Sequence, residues 1–209
     1  MSHPTLQEKP LAFLDIETGG LFPEDGAEII EIAIAITITT GSRLRRLLGR
    51  PRRKVVFKYV TKVMPDHPER ISEEAQAING FNMKEWEGAP SLRDVLPLVA
   101  AFLKDCVIAG QNVRFDVGFL NYYTRYLELD IPRIDYHLVD TVTLAYEHLV
   151  GAGAKKVSLK DICTFIGIEP EPDKHRAMAG ALTAFKVYER LSRAGKLDRV
   201  RWMLRNGLF

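Results

Sequence analysis

Apolar and polar positions alternate most regularly in "EIIEIAIAITITT", Glu28–Thr40, where every even position from Ile30 to Ile38 is isoleucine. The odd positions are Glu31, Ala33, Ala35, Thr37 and Thr39. Alternation of large and small residues with period two predicts a strand covered on both faces, one more closely than the other. "LAFLDIE" before it is a short apolar run suited to a buried strand, and "KVVFKYVTKV" after it predicts a third. A turn between the second and third makes them an antiparallel pair.

Helical spacing then takes over. "SEEAQAI" predicts a short helix capped by Ser72. "SLRDVLPLVAAFLKD" begins on Ser91 with Asp94 three residues on, a capping pattern, and Pro97 marks a kink or a later start. "CVIAGQN" predicts a strand and "DVGFLNYYTRYLEL" a helix opening near Arg114. "DYHLVDT" predicts a fifth strand that runs into a helix through Leu149. "SLKDICTFIG" has Ser158 and Asp161 as cap and Gly167 as stop. Two last helices are predicted over Asp173–Ser192 and Leu197–Arg205, with Trp202 and Leu204 packing the second onto the rest. Strands first, then strands alternating with helices, predict an α/β fold with a mixed sheet.

The chain has 209 residues, 46% of them hydrophobic and 27% charged, enough for one sizeable core. No run approaches the roughly 20 apolar residues of a membrane span, and "MSHPTLQEKP" lacks the apolar centre of a secretion signal. Cys106 and Cys163 have no metal-site spacing and sit among apolar residues, which predicts buried thiols and a cytoplasmic protein. The net charge is only +2, yet "RLRRLLGRPRRK", Arg43–Lys54, holds seven cations and no acid. It reads either as a solvated turn or as a contact for a polyanion.

Asp15 and Glu17, two residues apart at a strand end, point to the same side of the sheet. Each alone is ordinary for a strand terminus. The glycine-rich "TGGLFPEDG" that follows offers backbone N–H groups for a phosphate or nucleotide end. Asp116 falls in the first turn of its helix, where a carboxylate suits the dipole, and Asn112 before it reads as a cap or turn residue. His175 opens the later helix, with Asp173 as its cap.

"DIETGGL", "NVRFD" and "HRAMAGA", in that order, together with "YVTKVMPDHPERISEEAQAINGF", "DTVTLAYEHL" and "VSLKDICTFIGIEP", resemble the DEDDh 3′–5′ exonucleases, and among them the epsilon-type proofreading subunit of bacterial DNA polymerase III. The resemblance runs from about Leu11 to Leu191. It implies a ribonuclease-H-like fold: a central five-stranded mixed sheet flanked by helices, the second strand antiparallel. It implies an exonuclease domain over 1–194, with its core at 11–191, and a helical tail over 195–209. It implies two divalent ions, Mg²⁺ or Mn²⁺, held by Asp15, Glu17 and Asp116, and His175 as general base. Thr18, Gly19, Asn112 and Phe115 would hold the terminal nucleotide.

The expected activity is hydrolysis of nucleic acid from its 3′ end to nucleoside monophosphates. Single-stranded DNA is the expected substrate, and a DNA polymerase subunit a partner. Two alternatives stay open: a weakly active nucleic-acid-binding or polymerase-docking module, and an RNA-trimming exoribonuclease. The departures bear on that choice. The family's fourth metal carboxylate lies five residues after the histidine, and here that position is Gly180, in a helix interior where glycine costs roughly 1 kcal/mol relative to alanine. Ala177, Gly180 and Ala184 form a small-residue side expected to face the site. Asp173, about two turns away, is a poor replacement. Gln111 stands where relatives carry histidine, and the Arg43–Lys54 turn is longer than usual.

Overall fold

In the computed structural model, which describes residues 6, 8–41, 52–131, 137–171 and 176–208, strand β1 (Leu11–Thr18) lies at the centre of a five-stranded sheet. β2 (Ile29–Thr40) runs antiparallel beside it and β3 (Arg52–Lys62) antiparallel to β2. β4 (Val107–Gly110) and β5 (Leu138–Asp140) continue the other side in parallel. The order β3-β2-β1-β4-β5, with only β2 reversed against its neighbours in the centre, matches the mixed sheet expected.

The alternation in β2 has a direct cause. Ile29, Ile32 and Ile34 pack with Ala12, Leu14 and Ile16 of β1 against two helices, α3 (Leu92–Leu103) and α4 (Val113–Tyr126). Preceding these are the short helices α1 (Glu73–Asn79) and α2 (Met83–Trp86). On the opposite face, Ala33 and Ala35 meet Leu11, Phe13 and the alanines of the long helix α7 (Ala177–Leu191). Small residues on both partners let α7 lie close to the sheet. Phe185 and Tyr188 meet Phe13 in edge-type contacts at centroid distances of 5.3 and 5.6 Å.

A separate apolar cluster joins α5 (Thr141–Leu149), α6 (Leu159–Ile166) and α7 to the last helix, α8 (Lys196–Arg205). Trp202 anchors α8 in this cluster, whereas Leu204 is 62% exposed, contrary to the expected packing of both. Ser72, Ser91 and Ser158 cap their helices as the spacing predicted, each side chain accepting a backbone N–H from the third residue on. Pro97 sits within α3, which runs unbroken from Leu92. α7 starts at Ala177, later than the predicted Asp173, which lies outside the described residues.

Of the basic run, residues 42–51 lie outside the described residues. Arg53 is not part of a solvated tip. It is buried in β3, its N–H donating to Glu189 and its guanidinium to the carbonyls of Lys9 and Thr37. No described helix is long and apolar enough to cross a membrane.

Candidate active site

β1 carries Leu11 and Phe13 toward α7, and period two aims Asp15 and Glu17 at the same side, beyond the end of the alanine contact. Asp116 reaches this strand end from the other side. Two local features bring it there. Gly110 ends β4 so close to β1 that a Cβ on it would lie 2.7 Å from the Leu14 carbonyl oxygen. Asn112 then takes a left-handed conformation, φ 52° and ψ 39°, which asparagine tolerates better than most residues. The Asn112 N–H donates to Asp140 Oδ1, which also accepts the Val142 N–H at the head of α5. Asn112 is therefore a turn residue whose side chain makes no cap bond. The turn launches α4 so that Asp116 comes alongside β1. The β1–β4 ladder stops at Phe13, and Asp116 Oδ1 accepts the N–H of Ile16 beyond it, at 2.9 Å.

The acids crowd one another. Burial pushes Asp15 well above the usual carboxylate range, and the charges of Asp116, Glu17, Glu171 and Glu31 push the same way. Burial raises Asp116 too, against the lowering effect of the Ile16 N–H. Glu17 is pushed up to about 8, by burial first, then by Glu31 and Glu171, with Arg176 opposing. Glu31 and Glu171 were not singled out from the sequence. Glu31 is buried, pairs across strands with Glu17, and accepts the Ala177 N–H at 3.1 Å. It thus caps α7 from a neighbouring strand, the role assigned to Asp173. The signal was present in β2: Glu31 is the one acid among odd positions otherwise occupied by alanine and threonine.

Gly180 faces these acids, as its place on the small side of α7 required. A Cβ there would run into Asp15 Oδ2 and stand 2.8 Å from its Cγ. The Asp15 carboxylate thus fills the hole that the glycine leaves. Among the described residues no three His, Cys, Asp or Glu side chains form a closed ligand set. Asp15 is turned under Gly180, Asp116 toward Ile16, and His175 lies outside the described residues. The donor chemistry nevertheless fits a hard divalent cation: only carboxylate oxygens, mutually repelled, in a partly buried place where a cation would relieve them.

The glycine-rich turn is less free than expected. Thr18 Oγ1 donates to Gly20 O, the Thr18 carbonyl accepts from Asn79, and the Gly19 amide and carbonyl pair with Glu28 and Ser72. Its exposed side chains include two large apolar ones, Leu21 at 70% and Phe22 at 60%, beside the acids Glu24 and Asp25. Phe115 is partly buried against Phe119. Gln111 is structural, bonded to Thr141 and to the Val157 carbonyl.

Crowding has a consequence for stability. Glu17 ionises near 4.5 in an ordinary setting and at about 8 in the fold. Between these values the folded protein holds a proton that the unfolded chain has lost, so stability falls as pH rises from about 5 to 8. A tenfold change in proton affinity is worth about 1.4 kcal/mol, which makes the loss a few kcal/mol. In chelator, the melting temperature is expected to drop across that interval, and Mn²⁺ to restore more of it at pH 8 than at pH 6. A melting temperature in chelator that holds steady or rises would contradict the crowding.

Three comparisons bear on this arrangement. The family profile described as Exonuclease matches residues 12–188. The chain is 31% identical over 193 residues to a DNA polymerase III subunit epsilon-like protein of Rhodobacter capsulatus, covering 91% of this chain and 25% of that one. It is 30% identical over 187 residues to a PolC-type DNA polymerase III of Thermotoga maritima, covering 89% of this chain and 12% of the other. It thus spans a quarter or less of these relatives. Among solved structures it is similar to the nuclease domain of 3′hExo, a DEDDh family member, bound to rAMP (TM-score 0.63, 18% identity, 96% of this chain and 94% of that one). It is also similar to Exonuclease I of E. coli in complex with a dT13 oligonucleotide (TM-score 0.67, 18% identity, 87% and 40%).

Proposed function

Since the chain belongs to the exonuclease family, we propose that this 3′–5′ exonuclease acts on single-stranded DNA, at a rate held down by Gly180. The observation that supports it most is the meeting of Asp15, Glu17 and Asp116 at one end of β1 beneath α7. Asp15, Glu17 and Asp116 would hold the divalent ions, two of Mg²⁺ or Mn²⁺. Such ions, when bound, lower the pKa of water and stabilise a leaving oxygen. The residues of the chain do the rest. The Ile16 N–H fixes the direction of the Asp116 carboxylate. Glu31 ties the start of α7 to β2 and so holds the segment that follows His175. His175 is assigned as the base that takes a proton from the attacking water. Oxygen of that water joins phosphorus, the bond to the 3′ oxygen breaks, and the products are a nucleoside monophosphate and a shortened strand ending in a 3′-hydroxyl.

DNA is preferred over RNA on the polymerase names of the relatives and the oligonucleotide in the Exonuclease I complex. The rAMP in 3′hExo favours RNA as the second choice. Gly180 favours a third, a binding module with little chemistry. A single-stranded DNA and an RNA of the same sequence, each labelled at the 5′ end and incubated with Mn²⁺, separate all three. A ladder shortening from the 3′ end of the DNA is expected. A ladder on RNA alone would replace the substrate, and tight binding with no ladder from either would leave the module.

A further inference from the structure

A row of charge crosses the sheet beside the acids. Glu17 pairs with Glu31 across β1 and β2, and Glu31 with Lys62 across β2 and β3. Lys62 ends β3 with its ammonium 4.1 Å from the centre of the Trp86 ring. Arg176, at the head of α7, brings its guanidinium carbon to 5.4 Å from the same ring. Trp86 is a fixed platform, buried and donating its indole N–H to the Ile30 carbonyl at 2.8 Å. Glu85 spans the two cations, with Oε2 3.2 Å from Lys62 Nζ and 3.4 Å from Arg176 Nη2.

The arginine is incompletely satisfied. Its Nη1 is shielded from solvent and has no hydrogen-bond partner among the described residues. Among the described residues its carboxylate contact, to Glu85, is long and single, where guanidinium prefers a two-pronged partner. A buried donor without an acceptor calls for an explanation in function or in a missing ligand. Lys62 and Arg176 both remain a third exposed, so an anion can reach them. Two cations on an aromatic platform, next to acids that would hold metal ions, suit a polyanion that carries phosphates at regular intervals.

We infer that Lys62 and Arg176, braced on Trp86, form a clamp for the phosphodiester backbone of the strand entering the site, with Glu85 as the internal carboxylate that occupies it at rest. The clamp rests on the nuclease reading, since it supposes that a nucleic-acid strand is the ligand. Backbone phosphate displaces Glu85 and offers Arg176 two oxygens in place of one. Because it touches phosphate alone, the clamp is indifferent to base sequence.

The test is fluorescence anisotropy of a fluorescein-labelled single-stranded oligothymidylate with a phosphorothioate 3′ linkage, in Mg²⁺ over a range of KCl. For the wild type, log affinity is expected to fall steeply with log salt. Lys62→Gln with Arg176→Gln is expected to flatten that slope by about 1 to 2. Arg176→Lys keeps the charge and is expected to keep the slope. Glu85→Gln removes the competing carboxylate and is expected to tighten binding severalfold, a gain that damage to folding does not produce. An unchanged slope in the double variant, or unchanged affinity in Glu85→Gln, would overturn the clamp and leave the nuclease assignment standing. A wild type that binds no oligonucleotide at any salt would overturn that assignment as well.

Discussion

Gly180→Asp is expected to raise the rate of 3′ shortening of single-stranded DNA in Mn²⁺ by on the order of 100-fold. Position 180 faces Asp15 across the inner side of α7, so an aspartate there would add its carboxylate to the three already present. A bound metal stabilises a phosphoryl transition state by several kcal/mol, and about 2.7 kcal/mol of that corresponds to two powers of ten in rate. Room for the new side chain must come from Asp15, whose carboxylate now occupies the space. A terminal carboxylate swings aside by rotation, which is cheap compared with moving backbone. In chelator the same variant is expected to melt lower than the parent, because a further acid joins a crowded group. Rate and metal-free stability should therefore move in opposite directions. An aspartate variant no faster than the parent, with wild-type stability in chelator, would mean that position 180 is only a packing position.

The reverse pattern is expected of Asp15→Asn. Turnover should fall by about 10³-fold or more, several kcal/mol of transition-state stabilisation. Yet the metal-free protein should melt higher than the parent at pH 8, since the substitution removes a charge that the fold holds far from its ordinary ionisation. A single side chain that limits stability while supporting activity is the signature of a functional acid. Melting in chelator at pH 8, beside the 3′-end assay, checks both halves. An asparagine variant that keeps its activity would remove Asp15 from the site.

Local chemistry made much of this molecule legible. The isoleucine–alanine alternation named the strand and its two unequally covered faces because each face has a different neighbour, α3 and α4 on one side and α7 on the other. Serine caps set the starts of α1, α3 and α6, since a cap is a contact within four residues. Asp15 and Glu17 could be placed on one side by strand geometry alone. Gly180 stood out because an interior glycine contradicts helix propensity, and its side of α7 followed from helical spacing.

What stayed hidden depends on register and on distant partners. Glu31 caps α7 only because β2 slides to a register that sets it opposite Glu17, and then only because α7 ends its approach there. The start of α7 was misplaced for the same reason: its cap comes from a residue 146 positions away. Arg53 looked like one more cation in a basic turn, yet three carbonyl contacts draw it into the sheet edge. Thr18 and Gly19 promised free backbone groups, but Asn79 of α1 and Ser72 before it take their carbonyls, and the Glu28 carbonyl takes the Gly19 amide. Leu204 fits the apolar spacing of α8 on paper, while the turn of the helix gives the contact to Trp202.

That Asp15, Glu17 and Asp116 hold metal ions is testable by Mn²⁺ binding, without reference to catalysis. Titration of the protein with Mn²⁺ at pH 8, followed by the loss of the free-ion electron paramagnetic resonance signal, is expected to show saturable binding. That binding should weaken by tenfold or more in Asp15→Asn and tighten in Gly180→Asp. Equal Mn²⁺ uptake by all three proteins, or none by any, would contradict it.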